Sequence, residues 1–226
     1  MNKLFILLTA CFALNACDKA IEKLSEKAIE KAIESQMSKD GKTANVTIGK
    51  DGIQAKVTDA NGNVSDVVIG KDGLQTKTTD ANGTVTNASI GTDGIKSTST
   101  DASGKVSTSE FGSANVTEAD VGIPFYPGAS IKDGKGSKMA GPDNSMIMIT
   151  LESKDDLDKV AEYYRGKFKG IAKGRKLSDM SQAGESAMLA LSDDKNRDNL
   201  TVSVSKNDDA KLTEINIMVS KDTKAN

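Results

Sequence analysis

Ile48-Gly49-Lys50-Asp51-Gly52, Ile69-Gly70-Lys71-Asp72-Gly73 and Ile90-Gly91-Thr92-Asp93-Gly94 are three versions of one pentapeptide, spaced 21 residues apart, and Phe111-Gly112 keeps the spacing once more. Between them a second turn recurs: Asp59-Ala60-Asn61-Gly62, Asp80-Ala81-Asn82-Gly83 and Asp101-Ala102-Ser103-Gly104. Asp-Gly and Asn-Gly mark hairpins, because Gly has no Cβ to clash at positive φ and Asn tolerates the left-handed region. A fixed period of this kind signals a repeat architecture. Each copy therefore reads as two short strands and two turns, giving β-hairpin repeats over 46–112.

The odd period imposes a condition. Side chains alternate faces every residue, so two-residue loops throughout would place equivalent residues of successive copies on opposite faces. A three-residue loop with a bulge at Lys50-Asp51-Gly52 and its counterparts would correct this. Ile53, Val57, Val64, Val68 and Leu74 are then expected on one face. In the third copy Ser97 and Ser99 follow Ile95, so that face weakens. Such a segment would stack as a solenoid, lie against a partner, or stay partly disordered.

On the N-terminal side, residues 18–38 predict a helix rich in Ala, Lys and Glu, with Ile21, Leu24, Ala28, Ala32 and Ile33 recurring on one side. Glu22, Glu26, Glu30 and Glu34 form a row of like charge at i,i+4, offset by lysines at i,i+3. Three uses fit this helix: a spacer, a segment lying along a lipid surface, or a pairing element for a second copy. On the C-terminal side, residues 121–226 predict an α+β domain. A strand over 145–151 precedes a helix over 155–168 with the apolar stripe Leu157, Val160, Ala161, Tyr164 and Phe168. Strands over 186–191, 200–205 and 212–220 follow. The expected fold is thus α+β: an N-terminal helix, the 21-residue β repeats, then a four-stranded, largely antiparallel sheet with one packed helix.

The first residues carry a different signal. Asn2 and Lys3 precede an apolar run from Leu4 to Leu14, too short to span a bilayer as a mature helix. It ends in Leu14-Asn15-Ala16-Cys17, which resembles the lipobox of bacterial lipoproteins. The resemblance implies a signal peptide over 1–16, fatty acyl chains such as palmitate on Cys17, and a lipid anchor with helical spacer over 17–45. It implies a periplasm-facing protein of the cell envelope. Asp18, directly after the cysteine, resembles the signal that retains some lipoproteins in the inner rather than the outer membrane. Residues 124–129, Pro124-Phe125-Tyr126-Pro127-Gly128-Ala129, together with the later pair Tyr163-Tyr164, resemble a domain of bacterial envelope lipoproteins that has no established chemistry.

Several functions are disfavoured by composition. The chain has no His, which excludes His-based triads and His-containing metal sites. Removal of Cys11 with the signal peptide and lipidation of Cys17 would leave no thiol for a disulfide. Residues 18–120 carry a net charge of -4 and 121–226 a net of +1, so nucleic acid is not an expected partner. The Asp and Asn residues of the repeat turns invite a calcium reading, but Gly62 falls at the fourth position, where an EF-hand loop has its Gly at the sixth, Gly70 stands where the loop needs Glu, and turn chemistry accounts for these residues. No catalytic residue, metal or cofactor is assigned. A basic run of Lys159, Arg165, Lys167, Lys169, Lys173, Arg175 and Lys176 is a candidate anion contact, for lipid head groups or an acidic polymer. The functional expectation is a non-enzymatic envelope lipoprotein whose small C-terminal domain, held on a repeat spacer, binds a protein or polymer. Binding of a glycan or small ligand is the alternative.

Overall fold

The computed structural model describes residues 26–39, 41–182, 184–193, 195, 197–207, 209 and 211–222. Their contacts divide the chain into two compact units, 1–71 and 72–226.

In the first unit, helix α1 (Glu26–Met37) precedes three strands, β1 (Thr43–Gly49), β2 (Gly52–Thr58) and β3 (Val64–Gly70), which form an antiparallel meander. Val46, Ala55 and Val67 stand opposite one another in register and are its buried residues. Ile48, Ile53 and Ile69 form the next row on that face. Val64 pairs with Thr58 and Val68 with Gln54, so both point to the other face from Ile53 and Val57. The expected grouping of these four valines and isoleucines is corrected, and the reason lies in the turns. Gly49 pairs with Gly52 across a plain two-residue loop, Lys50-Asp51. The longer loop is at the other turn, where Asp59 N donates to Asn63 O and Gly62 N to Asp59 O, with Gly62 at φ +81°. The compensating three-residue loop is therefore Ala60-Asn61-Gly62.

Helix α1 does not stand free of this meander. It lies along the outer edge of β1, with Ile29, Ile33 and Met37 half-buried and Ala28 and Ala32 exposed. The expected alanine stripe therefore faces solvent.

The second unit contains β4 (Gly73–Thr79), β5 (Val85–Gly91), β6 (Gly94–Thr100), β7 (Val106–Ala114), α2 (Glu118–Val121), β8 (Ser130–Ile131), β9 (Gly136–Ala140), β10 (Asn144–Ser153), α3 (Leu157–Ile171), β11 (Lys176–Asp179), β12 (Ser186–Asp193), β13 (Asp198–Asn207) and β14 (Leu212–Asp222). Its strands run in the order β4-β5-β6-β7-β9-β10-β14-β13-β12-β11, with β8 beside β10. Every pairing within it is antiparallel.

This order overturns the expected fold class. The four strands β10, β14, β13 and β12 are adjacent, but they do not form a separate four-stranded sheet with one packed helix. Through β9 and β7 they continue directly into the repeat strands, and β11 extends them on the far side. Described strands number fourteen and described α-helices three. Strand β9 (Gly136–Ala140) falls in a Gly- and Lys-rich stretch with no apolar alternation, so no strand is expected there from sequence. It forms because both edges next to it, β7 and β10, offer unpaired backbone groups.

One face of the C-terminal part holds the core. Ile149 and Leu151 of β10, Leu189 and Leu191 of β12, Val202 and Val204 of β13, and Ile215 and Ile217 of β14 meet Leu157, Val160, Tyr164 and Phe168 of α3. All are under 3 % exposed. Val116, Val121, Ile123 and Tyr126, from the segment joining β7 to β8, close the same core.

Candidate interaction surfaces

The described residues offer three arrangements that could serve function: the clamp around Tyr126, the basic side of α3, and the uncovered face of the second unit's sheet.

Tyr126 comes from the stretch 124–129. Its hydroxyl donates to Asp155 Oδ2 at 2.6 Å, and Lys159 Nζ approaches the same oxygen at 3.0 Å. The Tyr126 hydroxyl and the Lys159 ammonium together hold the Asp155 carboxyl below its ordinary range. Hydrogen bonding to that carboxylate raises Tyr126. Tyr163 packs edge-on against both Tyr126 and Tyr164, with centroids 5.2 and 5.1 Å away. Its hydroxyl donates to Phe125 O. Thr213 Oγ1 donates to Asp155 O, tying β14 to the start of α3. The Tyr126 and Tyr163 hydroxyls thus join 124–129 to the helix and its start. The sequence marked these residues through a resemblance, and the geometry gives them a fastening role.

Tyr164 lies deeper. It is fully buried, and its hydroxyl has no hydrogen-bond partner among the described residues. The Tyr126 backbone comes near enough to lower its pKa slightly, without hydrogen-bond geometry. Burial dominates and pushes the phenol well above its usual range. The phenol therefore stays neutral and enclosed in the core.

The basic run is dispersed by the helix and the turn that follows. Lys159 is engaged by Asp155. Arg165 is held by Asp179 at 2.8 Å, with Glu162 at 3.5 Å. Lys167 lies over the Tyr163 ring, 5.0 Å from its centroid. Arg175 Nη2 donates to Ile171 O and so caps the end of α3. Lys159, Arg165, Lys167 and Arg175 thus each have a neighbour of their own, and Lys169, Lys173 and Lys176 are the exposed members of the run.

The turn carboxylates are likewise committed. Asp59 Oδ1 accepts from Asn61 N and Asn63 N, Asp80 Oδ1 from Asn82 N and Thr84 N, and Asp101 Oδ1 from Ser103 N and Lys105 N, all at 2.8–3.0 Å. These are Asx turns, the use that residue type and spacing favour. Hydrogen bonds from Ser103 and Lys105 lower Asp101.

The third arrangement was missed at the sequence level. Opposite the face that packs on α3, the sheet of the second unit has no covering helix among the described residues. Residues directly paired across strands point to the same side, so one row can be followed from β5 to β11: Ala88, Ser97, Ser109, Met139, Met146, Ser220, Asn199, Ser192 and Lys176. Near its middle a shallow groove of about 270 Å³ is lined by Ser97, Ser99, Ser107, Ser109, Met139 and Asn144, among others. Ile90, Ile95 and Phe111 continue this face and are 38–43 % exposed. An edge charge cluster borders it: Lys132 Nζ lies 2.6 Å from Glu214 and 3.7 Å from Glu152. Two strands of alternating residues, 144–153 and 212–222, could have revealed this face, because the middle of their non-core rows, 144–150 and 216–220, reads as Met, Thr, Asn and Ser, with charges only at Glu152, Glu214 and Asp222.

Cys17 and Asp18 lie outside the described residues, as do residues 1–16. Among the described residues no helix is long and apolar enough to cross a membrane. No protein-family model, curated protein or solved structure matches this chain.

Proposed function

We propose that this protein is a non-enzymatic lipoprotein of the bacterial cell envelope, anchored through lipid on Cys17, facing the periplasm, and held at the inner membrane through Asp18. Its interaction surface is the uncovered face of the second unit's sheet. The observation that carries the anchoring is the order basic start, apolar run, Leu14-Asn15-Ala16-Cys17. The binding role is supported by the way the ionisable groups are used. The shifted carboxyls Asp101, Asp120, Asp155, Asp179 and Glu214 each have a hydrogen-bonding neighbour that explains the shift. Catalytic groups are by contrast shifted by burial and close charges within a cleft. The open face is instead a broad, weakly charged surface of hydroxyls, amides and thioethers, suited to a protein or polymer partner.

A glycan is the second reading, favoured by the hydroxyl-lined groove beside the exposed Phe111. Metabolic labelling with palmitate and membrane fractionation test the anchor. Cys17→Ala should lose the label and leave the membrane fraction, while Asp18→Ser should shift toward the outer membrane. Retained label and retained membrane binding in Cys17→Ala would sink the lipid assignment. Titration with envelope polysaccharide separates the two partner classes, since only the glycan reading expects saturation that Phe111→Ala abolishes.

A further inference from the structure

The second unit's six methionines, Met139, Met146, Met148, Met180, Met188 and Met218, are absent from its core. Ile147, Ile149, Leu151, Ile215, Ile217 and Val219 fill the α3 side of β10 and β14, while the alternate positions of the same strands hold Met146, Met148 and Met218. Simple apolarity does not require this segregation, because β-branched residues suit a half-exposed strand better than Met. What Met alone adds is a soft, polarisable sulfur.

Four of these residues are juxtaposed. Met139 pairs directly with Met146 across β9 and β10, and Met148 pairs directly with Met218 across β10 and β14. Met146 and Met148 are two residues apart on β10, on one face. Direct cross-strand partners have Cβ atoms ~4.5–5.5 Å apart and diagonal ones ~7–8 Å. Two residues along a strand span ~6.4–6.8 Å. The four Cβ atoms thus outline two triangles that share the Met146–Met148 side. Flexible thioethers at those separations can turn their sulfurs onto one ion. Their register neighbours are Ser109, Ser137, Ser220 and Thr201, none of them charged. Met139 is 40 % exposed and the other three are half-buried, so the cluster is open to solvent.

We propose that this cluster binds a soft monovalent cation, copper(I) or its analogue silver(I), through three thioethers at a time: Met146 and Met148 with either Met139 or Met218. Thioether ligands select such ions, whereas hard divalent cations prefer oxygen and zinc prefers thiolate or imidazole. The site is independent of the anchoring and partner proposals above. A partner would bury the face by its apolarity, and Leu serves that purpose as well as Met. An ion needs sulfur.

The distinguishing experiment is a silver nitrate titration of the detergent-solubilised full chain in chloride-free buffer. Its cysteines are blocked with iodoacetamide, and the methionine methyl groups are followed by carbon-13 NMR. The methyl signals of Met139, Met146, Met148 and Met218 should move together and saturate near one equivalent, with those of Met180 and Met188 unmoved. M146L/M148L, which keeps volume and apolarity, should weaken binding at least tenfold, and M139L/M218L should do the same if the first variant folds poorly. M180L/M188L should bind as the parent does, and zinc should shift nothing. Equal movement of all six methyl groups, undiminished binding by both paired variants, or no movement at millimolar silver overturns the proposal.

Discussion

Removing the Glu34 carboxylate should unfasten one point of the β1 edge without unfolding the chain. An exposed strand edge carries a row of N–H groups that must be satisfied or hydrated. Here Ala44 N donates to Ser38 Oγ at 3.1 Å, Val46 N to Glu34 Oε1 at 2.8 Å, and Ile48 N to Glu30 Oε1 at 2.8 Å. The match is metric. Four residues of helix advance ~6.0 Å, and two residues of strand advance ~6.4–6.8 Å, so Glu30 and Glu34 of α1, and Ser38 just past its end, meet every second amide of β1. A hydrogen bond to a charged group contributes ~1.5–3 kcal/mol. Because water can replace part of it at a half-buried edge, the low end applies. At ~1.4 kcal/mol per factor of ten, Glu34→Ala should speed Val46 amide hydrogen exchange by roughly tenfold, with about 100-fold as the upper limit. Glu30→Ala should act on Ile48 instead, and Glu34→Gln, which keeps an acceptor, should act less than Glu34→Ala. Exchange measured by NMR on the full chain, with Val202 in β13 as an internal control, checks this. Unchanged Val46 exchange in Glu34→Ala, with intact helix content, would refute the edge-covering role.

Tyr164→Phe removes a buried hydroxyl that has no partner among the described residues, so it should stabilise the second unit by about 1 kcal/mol, seen as a higher denaturation midpoint; a loss of similar size would show that the hydroxyl is bonded. Asp155 has a folded pKa below its unfolded value of about 3.9, first through Tyr126 and then Lys159. Its contribution is therefore complete above that unfolded value and disappears as pH falls through the lower folded one. Asp155→Asn should flatten the acid end of the stability–pH curve, measured by denaturant titration, and leave the part near neutrality with its original slope; the alkaline end should change as well, because the same carboxylate raises Tyr126 and Lys159. Gly73→Ala should be severe, costing about 3 kcal/mol, because φ is +104° and the new Cβ would fall 2.1 Å from Ile90 O. Gly62→Ala has positive φ but nothing within 4 Å; it should cost only ~1–2 kcal/mol, and equal thermal shifts for the two would contradict the turn assignment.

Local chemistry was legible in the chain itself. The 21-residue period, the two turns per copy, the helix α3 and its five core residues all follow from spacing, because a turn needs Gly or Asn at positive φ and a helix needs an apolar stripe at its own period. The proposed N-terminal address likewise rests on local order within residues 1–17. Pairing was not. Nothing in 136–140 says strand until β7 and β10 lie beside it, and that insertion is what turns an expected separate domain into a continuation of the repeat strands. The row of glutamates in α1 reads as mutual repulsion in isolation and becomes a set of acceptors only when β1 supplies the donors. The methionines read as scattered single residues until register sets Met139 against Met146 and Met148 against Met218. Turn and helix signals act within a few residues along the chain, whereas strand partners are chosen by hydrogen bonds between segments far apart in sequence. Only the tertiary structure decides what those bonds bring together.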